Sequence, residues 1–592
     1  MNFKRINIAE HFINWIHANT SEKQFLIFSS ILVGISAGIA AVILKLFVYF
    51  IKHNLVEGYF LTLDFKYIYL ALPLIGIGLA VLITNYFFKG QINRGTANIL
   101  FSIAKKSSYL PFHQIYSHVI TSGFTVGFGG SAGLESPIVS TGSAIGSNFA
   151  RTYKLSYKER TMLLAAGVSG GIAGAFNAPI AGVLFALEVI LVDISISAFI
   201  PLLIASASGA LISKILLDES SLLFFRLRQP FDYHNVLFYV LLGLLAGIIS
   251  LYYVNIFDKV ERWLSKVNSS LTKWLIGGLI LAVLYSVFPS LFGEGYSSIK
   301  YLTDLNVAEL FKDSLMRGFI SNKWMLLLFV TLTMLLKSFA TAITLGSGGN
   351  GGNFAPSLFV GAYLGFIFSF FLRLMGVESV PVGNFTIVAM SGILSGVFHA
   401  PLTGIFLIAE IAGGYELIIP LMIVSSFSYL IVKYFHPDSL DVKRLKEKGA
   451  IVSENKDTSI LGKIDARSMI ETDFATIHFK ATLRDIVEVI KHSRRNTFPV
   501  VNKQNKLMGV IYLDNIREEM FNADLYDKIT ASEVMRKPTA QIGMNEDIFS
   551  IIQKFEESGQ WNLPVVEGET YVGFLSKSSI LDKYRSKLLS SF

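Results

Sequence analysis

Long runs of apolar residues fill the first three quarters of the chain. Several of them, such as Phe25–Phe50, Leu163–Leu191 and Val236–Ile256, are long enough to cross a bilayer, which takes about 20 residues of helix. Other runs are shorter, or are interrupted by glycine and proline. Broken helices occur at membrane depth only where they are buried in protein or line a cavity. The pattern therefore predicts an all-α, polytopic membrane body with tilted and broken helices rather than a simple bundle.

The interrupted segments occur twice along the chain. Gly130–Pro137 in the first half matches Gly349–Pro356 in the second, and Phe176–Gly182 matches Phe398–Gly404 further on. Short, interrupted segments at corresponding places in two halves indicate the binding site of a transporter that is built from an internal repeat. We therefore predict two related halves whose glycine-rich segments meet near the membrane midplane.

Two glutamates and one lysine lie in apolar runs close to the repeated segments. Glu188 and Glu410 each follow their downstream segment, nine residues after its proline. Because both halves carry this glutamate, we predict a structural role for it, such as a hydrogen bond to a neighbouring backbone. Lys337 lies in the apolar run before the second glycine-rich segment. It either adds positive potential near a pore or pairs with a buried acid.

Glycine-rich segments that end in proline are typical helix starts, because proline suits the first helical turn. The first turn of a helix presents unpaired N–H groups and about half a positive charge, which favours an anion. Two such starts would form an anion site made of dipoles, which binds weakly enough for conduction. The alternative is that the glycines only allow close helix packing. Two linked copies favour the anion site.

Glu135 lies inside the first of these helix starts. An acid at membrane depth is costly and points to function. Its carboxylate can occupy the anion site as a tethered competitor and leave on protonation or on anion entry, which would make Glu135 a gate. The alternative is a glutamate that only caps the helix. Its position within an anion-binding helix start favours the gate.

Composition supports a membrane body followed by a soluble tail. Only 16% of the 592 residues are charged and the mean hydropathy is +0.54, whereas soluble domains average about 25% charged residues. The last 152 residues, from Asp441 on, hold 23 basic and 22 acidic residues, and the first 440 hold 28 and 21. The basic excess is spread over loops of an apolar body, so it indicates positive-inside topology and not a nucleic-acid partner.

Several classes of chemistry find no support in the sequence. The absence of cysteine excludes disulfides and thiolate metal sites. Neither a His/Asp/Glu cluster with metal-ligand spacing nor a nucleophile motif is present. We therefore predict a protein that is not an enzyme, holds no metal and requires no cofactor.

The tail shows a soluble αβ pattern in two copies of one small α+β unit. Each copy has an amphipathic helix followed by two short strands. The predicted elements are Leu483–His492, Phe498–Val501 and Gly509–Ile511 in the first copy, and Ile548–Ser558, Leu563–Val566 and Gly573–Leu575 in the second.

These patterns divide the chain into five parts. The predicted parts are an interfacial cytosolic helix within residues 1–24, a membrane pore domain at 25–440, a linker at 441–463, and the two tail copies at 464–526 and 527–592. The first part lacks the apolar core and cleavage site of a signal peptide. We therefore expect both termini to lie in the cytoplasm, with the body in the plasma membrane of a prokaryote.

The glycine-rich segments resemble those of the CLC family of chloride channels and proton–chloride exchangers. Gly133–Pro137 is similar to its G-[KR]-E-G-P motif and Gly352–Pro356 to its G-x-F-x-P motif. The resemblance covers roughly Phe25 to Gly449. It implies chloride transport, a homodimer in membrane lipid with one pore per subunit, and inverted repeats. It also implies that Glu135 is the external gate.

The resemblance further implies a set of anion-binding positions, among which the backbone amides of Asn353 and Phe354 would coordinate the central anion. These positions are Arg94, Gly95, Thr96, Gly133, Leu134, Ser136, Gly352, Asn353, Phe354, Ala355 and Asp441.

Three positions depart from the family pattern. The anion-binding serine is replaced by Arg94, unless Thr96 supplies the hydroxyl, and the inner tyrosine is replaced by Asp441. The internal proton glutamate of exchangers is Val189 here, as in many channels of the family. We therefore predict channel-like chloride conduction, with proton-coupled antiport as the alternative. A cation transporter regulated by the tail is disfavoured because the helix starts point their dipoles at anions.

The tail resembles a pair of CBS domains, which often bind adenine nucleotides. The position of the usual ribose-binding aspartate is Asn515 in the first copy and Ser579 in the second, and Ser576 ends the preceding strand. These three residues are the candidate contacts to an adenine nucleotide. The alternative is a structural dimerisation module.

Overall fold

The computed structural model describes residues 16, 19–58, 70–90, 95–191, 196–217, 229–311, 314–316, 318, 322–447, 461–462 and 464–590. The chain divides into two compact units, Met1–Val452 and Ser453–Phe592. We refer to them as the membrane unit and the tail. Most of the predicted N-terminal helix and the candidate residue Arg94 lie outside the described residues.

In its described residues the membrane unit consists of helices joined by turns. They are α1 Glu22–Phe50, α2 Leu72–Phe87, α3 Thr96–Lys105, α4 Gln114–Gly127, α5 Glu135–Thr152, α6 Tyr157–Phe176, α7 Pro179–Phe185, α8 Ile196–Leu217, α9 Val236–Ser265, α10 Ser270–Val287, α11 Tyr296–Thr303, α12 Lys323–Gly346, α13 Phe354–Leu374, α14 Val382–Phe398, α15 Pro401–Ile411, α16 Ile418–Phe435 and α17 Leu440–Glu447. Helices α1 and α7 continue into π-helical turns at Ile51–Glu57 and Ala186–Ile190.

The helices are of two kinds. Within the described ranges, seven are long and apolar enough to cross a membrane. Others are apolar but short, including α2, α14 and α15. Proline and the positive-φ residues Asn177 and His399 separate the short helices from their neighbours. The predicted membrane body with broken helices is confirmed.

Glycines in both halves allow helices to pack at close range. Helix α5 packs on α6 in the first half, and α13 packs on α14 in the second. A Cβ atom on Gly146 of α5 would lie 1.9 Å from the Leu163 carbonyl oxygen, and one on Gly365 of α13 would lie 2.1 Å from that of Phe385. These glycines therefore serve packing, as small residues do in membrane helices.

Each of the two repeat glutamates, Glu188 and Glu410, caps the start of a helix in the other half of the membrane unit. Glu410 accepts hydrogen bonds from two backbone N–H groups in the first turn of α7, at 3.0 and 2.9 Å. Glu188 accepts two from the first turn of α15, at 3.0 and 2.7 Å, and a third from the Thr403 hydroxyl. Each carboxylate thus satisfies helix-start donors that would otherwise be unpaired. The predicted structural role of these acids is confirmed.

The charged segment from Asp441 starts with helix α17 and is not an extended linker there. Leu445 of α17 is fully buried against Leu100 of α3. Lys443 and Arg444 form ion pairs with Asp258 and Glu261 of α9. The segment up to residue 447 is therefore part of the membrane unit, because its apolar face and its charges both have partners there.

The tail contains two three-stranded sheets of the same topology. In each, a two-residue strand pairs parallel to the middle strand, which pairs antiparallel to the last. Both predicted helices and all four predicted strands are present. The elements are β1 Ile477–His478, α18 Leu483–His492, β2 Thr497–Val501, β3 Leu507–Tyr512, α19 Ala531–Val534, β4 Ile542–Gly543, α20 Ile548–Ser558, β5 Asn562–Glu567, β6 Thr570–Ser576 and α21 Lys577–Ser590.

Candidate anion site and gate

The two glycine-rich segments meet at the centre of the membrane unit. Gly133 and Gly352 exchange backbone hydrogen bonds of 2.9 and 2.8 Å, as an isolated antiparallel bridge. Thr125 and Thr344, at equivalent positions in the two halves, each accept a backbone N–H from the opposite segment at 3.0 and 3.1 Å. The repeat therefore brings two helix starts together with local two-fold symmetry.

The carboxylate of Glu135 lies at the start of the helix from the other half. Helix α5 begins at Glu135 and α13 begins at Phe354, directly beyond the glycine bridge. The Ala355 N–H of α13 donates to Glu135 Oε2 at 3.4 Å, and the Tyr296 hydroxyl donates to Oε1 at 2.5 Å. Glu135 is 2% exposed. The carboxyl group of Glu135 is thus held where the positive end of α13 would receive an anion.

Two cavities flank this carboxylate. The small cavity, about 180 Å³, reaches Glu135 itself, and the large cavity, about 560 Å³, reaches its partner Tyr296. Glu135 and Tyr296, which are hydrogen-bonded to each other, therefore each line one of the two cavities.

Most predicted site residues are brought together here. Those that line the small cavity are Gly95, Thr96, Glu135, Ser136, Gly352, Asn353, Phe354 and Asp441. Leu134 lines the large cavity, while Gly133 and Ala355 take part in the bridge and in the bond to Glu135. Val189 is half-buried and packs against the hydrophobic core.

The small cavity also contains charged residues that the sequence did not single out. Glu261 of α9 and Arg444 of α17 line it and form an ion pair with each other. Asp441 of α17 lines the cavity together with Thr96 of α3. Three carboxylates and one guanidinium therefore surround a space large enough for a few water molecules.

Lys337 is bound by backbone carbonyl groups, and the buried acid that acts on it electrostatically is Glu294. Lys337 is fully buried, and its ammonium donates to the carbonyl oxygens of Leu291 and Gly293 at 3.3 and 2.8 Å. The ammonium also lies 4.7 Å from the centre of the Phe359 ring. Lys337 therefore fixes the turn that precedes Tyr296.

In the tail, two of the three candidate nucleotide contacts bind a carboxylate. The hydroxyls of Ser576 and Ser579 donate to Glu471 Oε1 at 2.9 and 2.8 Å, and Arg495 pairs with Oε2 at 2.7 Å. Partial burial opposes ionisation of Glu471, but the bonds from Ser579 and Ser576 and the charge of Arg495 outweigh it and lower the pKa of this carboxyl. Asn515 ends a 3₁₀ turn directly after β3.

Comparison with known proteins identifies the family. A family model described as a voltage-gated chloride channel, the CLC type, matches residues 76–433. The chain belongs to the CLC family. Two copies of the CBS domain match residues 466–522 and 531–586 of the tail. The chain is thus a multi-pass integral membrane protein of a family of anion transporters.

Individual CLC relatives carry the names of channels and exchangers. A Ralstonia nicotianae protein named "Putative chloride channel protein ClcB-like" is 29% identical over 61% of this chain and 81% of its own length. A Vibrio cholerae protein named "H(+)/Cl(-) exchange transporter ClcA" is 29% identical over 51% of this chain and 62% of its own length.

Solved CLC structures share the fold. A slow cyanobacterial Cl⁻/H⁺ antiporter matches with a TM-score of 0.62 at 21% identity, over 73% of this chain and 99% of the other. A eukaryotic CLC transporter matches with a TM-score of 0.61 at 16% identity, over 94% and 97%.

Proposed function

We propose that this chain moves chloride or a similar small anion across the membrane and that Glu135 is the gate. The observation that carries the proposal is the position of the Glu135 carboxylate, which accepts the Ala355 N–H at the start of α13 between two cavities. A permeating anion needs the same backbone donors. The carboxylate and the anion therefore compete for one site.

The gate opens when the carboxylate loses its hold on the helix start. Protonation removes the negative charge that the α13 dipole attracts. A hydrogen bond to a charged group contributes about 1.5–3 kcal/mol, so the bond from Tyr296 strengthens the closed position of Glu135. A proton on Glu135, or an anion that competes for the same donors, reduces the free energy that stabilises this side chain at the start of α13. The side chain then leaves and the passage opens.

Glu135→Gln tests the gate. Glutamine mimics the protonated acid, so we expect chloride efflux from liposomes to become nearly independent of pH, whereas flux through the wild type rises as the pH falls. Glu378→Gln, which changes an exposed acid, is the control and keeps the wild-type profile. If the Glu135 variant stays as pH-sensitive as the wild type, the gate assignment is wrong.

Uncoupled conduction is supported by Val189. A proton that crosses from the cytosol to Glu135 needs acceptors on its way, and an aliphatic side chain cannot take one. Val189 packs against the hydrophobic core. This residue favours a channel-like mechanism in which anion flux has no fixed ratio to protons.

Proton-coupled antiport is a second candidate, favoured by the acids in the small cavity. Glu261 and Asp441 share that cavity with Glu135, so a proton on either acid has a short water-accessible route to the gate. In this mechanism Glu261 and Asp441 relay the proton, because this chain has Val189 where exchangers have a proton-binding glutamate.

One measurement separates the two candidates. Proton uptake is followed in liposomes under a chloride gradient, with the voltage held near zero by valinomycin and potassium. Uphill proton movement driven by chloride supports antiport, and chloride flux without it supports conduction. For antiport, Glu261→Gln and Asp441→Asn reduce proton uptake, while Asp258→Asn, which changes a neighbouring acid paired with Lys443, does not.

We also propose an orientation in the membrane, a homodimeric assembly and a nucleotide ligand for the tail. We assign the small cavity to the cytosolic side because α17, which lines it, directly precedes the tail. Both termini are then cytoplasmic, in the plasma membrane of a prokaryote. Light scattering of the purified protein checks the homodimer, and equilibrium dialysis with labelled ATP checks adenine-nucleotide binding by the CBS pair.

A further inference from the structure

A rigid turn in the large cavity carries an acid next to the gate. The turn Gly293–Tyr296 is held by Lys337 from one side and by a hydrogen bond from the Gly293 N–H to the Gly129 carbonyl oxygen, 3.0 Å, from the other. Both glycines that flank Glu294 have positive φ, 64° and 90°, a conformation that glycine adopts without strain. The backbone of Glu294 is therefore fixed.

Glu294 lines the large cavity together with the residue before the gate. That residue, Leu134, directly precedes Glu135, and two positions after Glu294 the Tyr296 hydroxyl donates to Glu135 itself. The Oε1 atom of Glu294 is buried and has no hydrogen-bond partner among the described residues. A buried, unpaired carboxylate oxygen is costly when charged. The atom is therefore suited to carry a proton.

Charged and titratable groups on several helices interact electrostatically with Glu294. Its neighbours in this field are Glu135 on α5, Lys45 on α1, Lys52 on the π-helical turn after it, Lys337 on α12 and Tyr296 on α11. His53 and Glu309 line the same cavity. Two neighbouring carboxylates disfavour joint ionisation, so the charge on one raises the proton affinity of the other.

We propose that Glu294 is a second proton-binding group of the gate, which shares with Glu135 the proton that enters from the large cavity. The inference rests on the proposed role of Glu135. A hydronium ion in the cavity gives its proton to the carboxylate pair and leaves as water. While Glu294 is ionised, its charge favours protonation of Glu135, so the gate opens at a less acidic pH than Glu135 alone would allow.

Glu294→Gln removes this charge and leaves Glu135 in place. The midpoint of the dependence of chloride flux on the pH of the large-cavity side should then move to a more acidic value, by about tenfold in proton concentration, as expected for the loss of one nearby like charge. Glu294→Asp keeps the charge and should stay near the wild-type midpoint. Glu309→Gln removes an acid from the same cavity without changing the pair, and is the matched control.

The outcomes distinguish this inference from the proposed function. A shift in Glu294→Gln that disappears in the Glu135→Gln background supports the inference. An unshifted midpoint in Glu294→Gln, together with a flat profile in Glu135→Gln, overturns the inference and leaves Glu135 as the gate. A profile that persists in Glu135→Gln overturns both. If Glu294→Gln does not fold, Glu294→Ser is measured in its place. A midpoint that moves as far in Glu294→Asp as in Glu294→Gln would show that packing and not charge causes the shift, and would overturn the inference.

Discussion

The contact between Tyr296 and Glu135 joins residues 161 positions apart, at 2.5 Å. Tyr296 is the first residue of α11, and its hydroxyl reaches across the centre of the molecule to α5. The other oxygen of Glu135 has the longer bond, 3.4 Å, from the Ala355 backbone. The phenol therefore makes the shorter of the two hydrogen bonds to the Glu135 carboxyl group.

Tyr296→Phe should weaken this hold. Loss of a hydrogen bond to a charged group costs about 1.5–3 kcal/mol, which corresponds to roughly a 10- to 100-fold change in the ratio of open to closed gates. We expect higher chloride flux at neutral pH, measured as efflux from liposomes. Tyr301→Phe, which changes another tyrosine lining the large cavity, should behave as the wild type. Flux through Tyr296→Phe equal to or below the wild-type value would contradict a holding role.

The sequence could predict Glu135 but not its partner. Glu135 stands inside a glycine-rich motif, so a local pattern points to it. Tyr296 and Glu294 lie in a short Gly-Glu-Gly-Tyr turn, and their relation to the gate comes from folding over a long separation. The family pattern points to Asp441, whereas Glu261 lies on a long apolar helix and belongs to no motif.

At the scale of helices, the first turns of α7 and α15 depend on an acid from the other half. A helix start leaves backbone N–H groups without partners. Water would hydrate these groups, whereas the interior of a bilayer makes each unpaired group costly. The carboxylates of Glu410 and Glu188 supply the missing acceptors.

Glu410→Gln should destabilise the membrane unit. The amide offers one acceptor oxygen where the carboxylate offers two, so one donor of α7 loses its partner, at a cost of about 1–3 kcal/mol. We expect the protein in detergent to unfold about 2–4 °C lower, measured by nanoscale fluorimetry. Glu416→Gln, an exposed acid just beyond the end of α15, serves as control. Equal unfolding temperatures for the two variants would mean that the reciprocal caps add no stability.

In the tail, the junction of β6 and α21 should be sensitive to acid. The pKa of Glu471 is lowered in the folded state, so its contribution to stability is full above the ordinary carboxyl range, near pH 4–5, and declines as the pH falls through the lowered pKa. Hydrogen exchange of β6 in the full-length protein should accelerate on going from pH 7 to pH 4, after correction for intrinsic rates. Glu471→Gln should remove this acceleration, and a response that survives in the variant would assign it to another group.

Element prediction from sequence succeeds where the pattern is periodic. The tail helices α18 and α20 begin and end where their amphipathic pattern predicts. Strands β1 and β4 have two residues each, which is too short for an alternating pattern to emerge. Helix α17 reads as a charged exit from the membrane, because its ion pairs with α9 depend on contacts that the sequence does not display.

At the scale of the whole molecule, the two units have separate cores. The main apolar cluster of the membrane unit runs from Ala41 to Leu440, and the tail clusters begin at Ile464. Units with their own cores are able to fold alone. The glycine bridge, Glu135, Tyr296 and all residues lining the two cavities belong to the membrane unit.

A chain that ends at Val452 should therefore fold and still move anions. We expect a monodisperse peak in size-exclusion chromatography and chloride flux that retains the dependence on Glu135. A chain that lacks only the second CBS copy, from residue 527 on, is the useful comparison, because it exposes one face of a paired module. A well-folded truncation without any flux would show that the tail takes part in transport.

The reciprocal caps also set an order of events during synthesis. The backbone N–H groups at the start of α7 have no acceptor until Glu410 is synthesised, and Glu410 lies 230 residues beyond Ile180 in the chain. At about 5–20 residues per second, the ribosome reaches that residue roughly 10–50 seconds later. During this interval the first half has a helix start whose acceptor, Glu410, has not yet been synthesised. A nascent chain halted before Glu410 is therefore incomplete in a specific place, and α7 is where a quality-control protease or a membrane chaperone would find it.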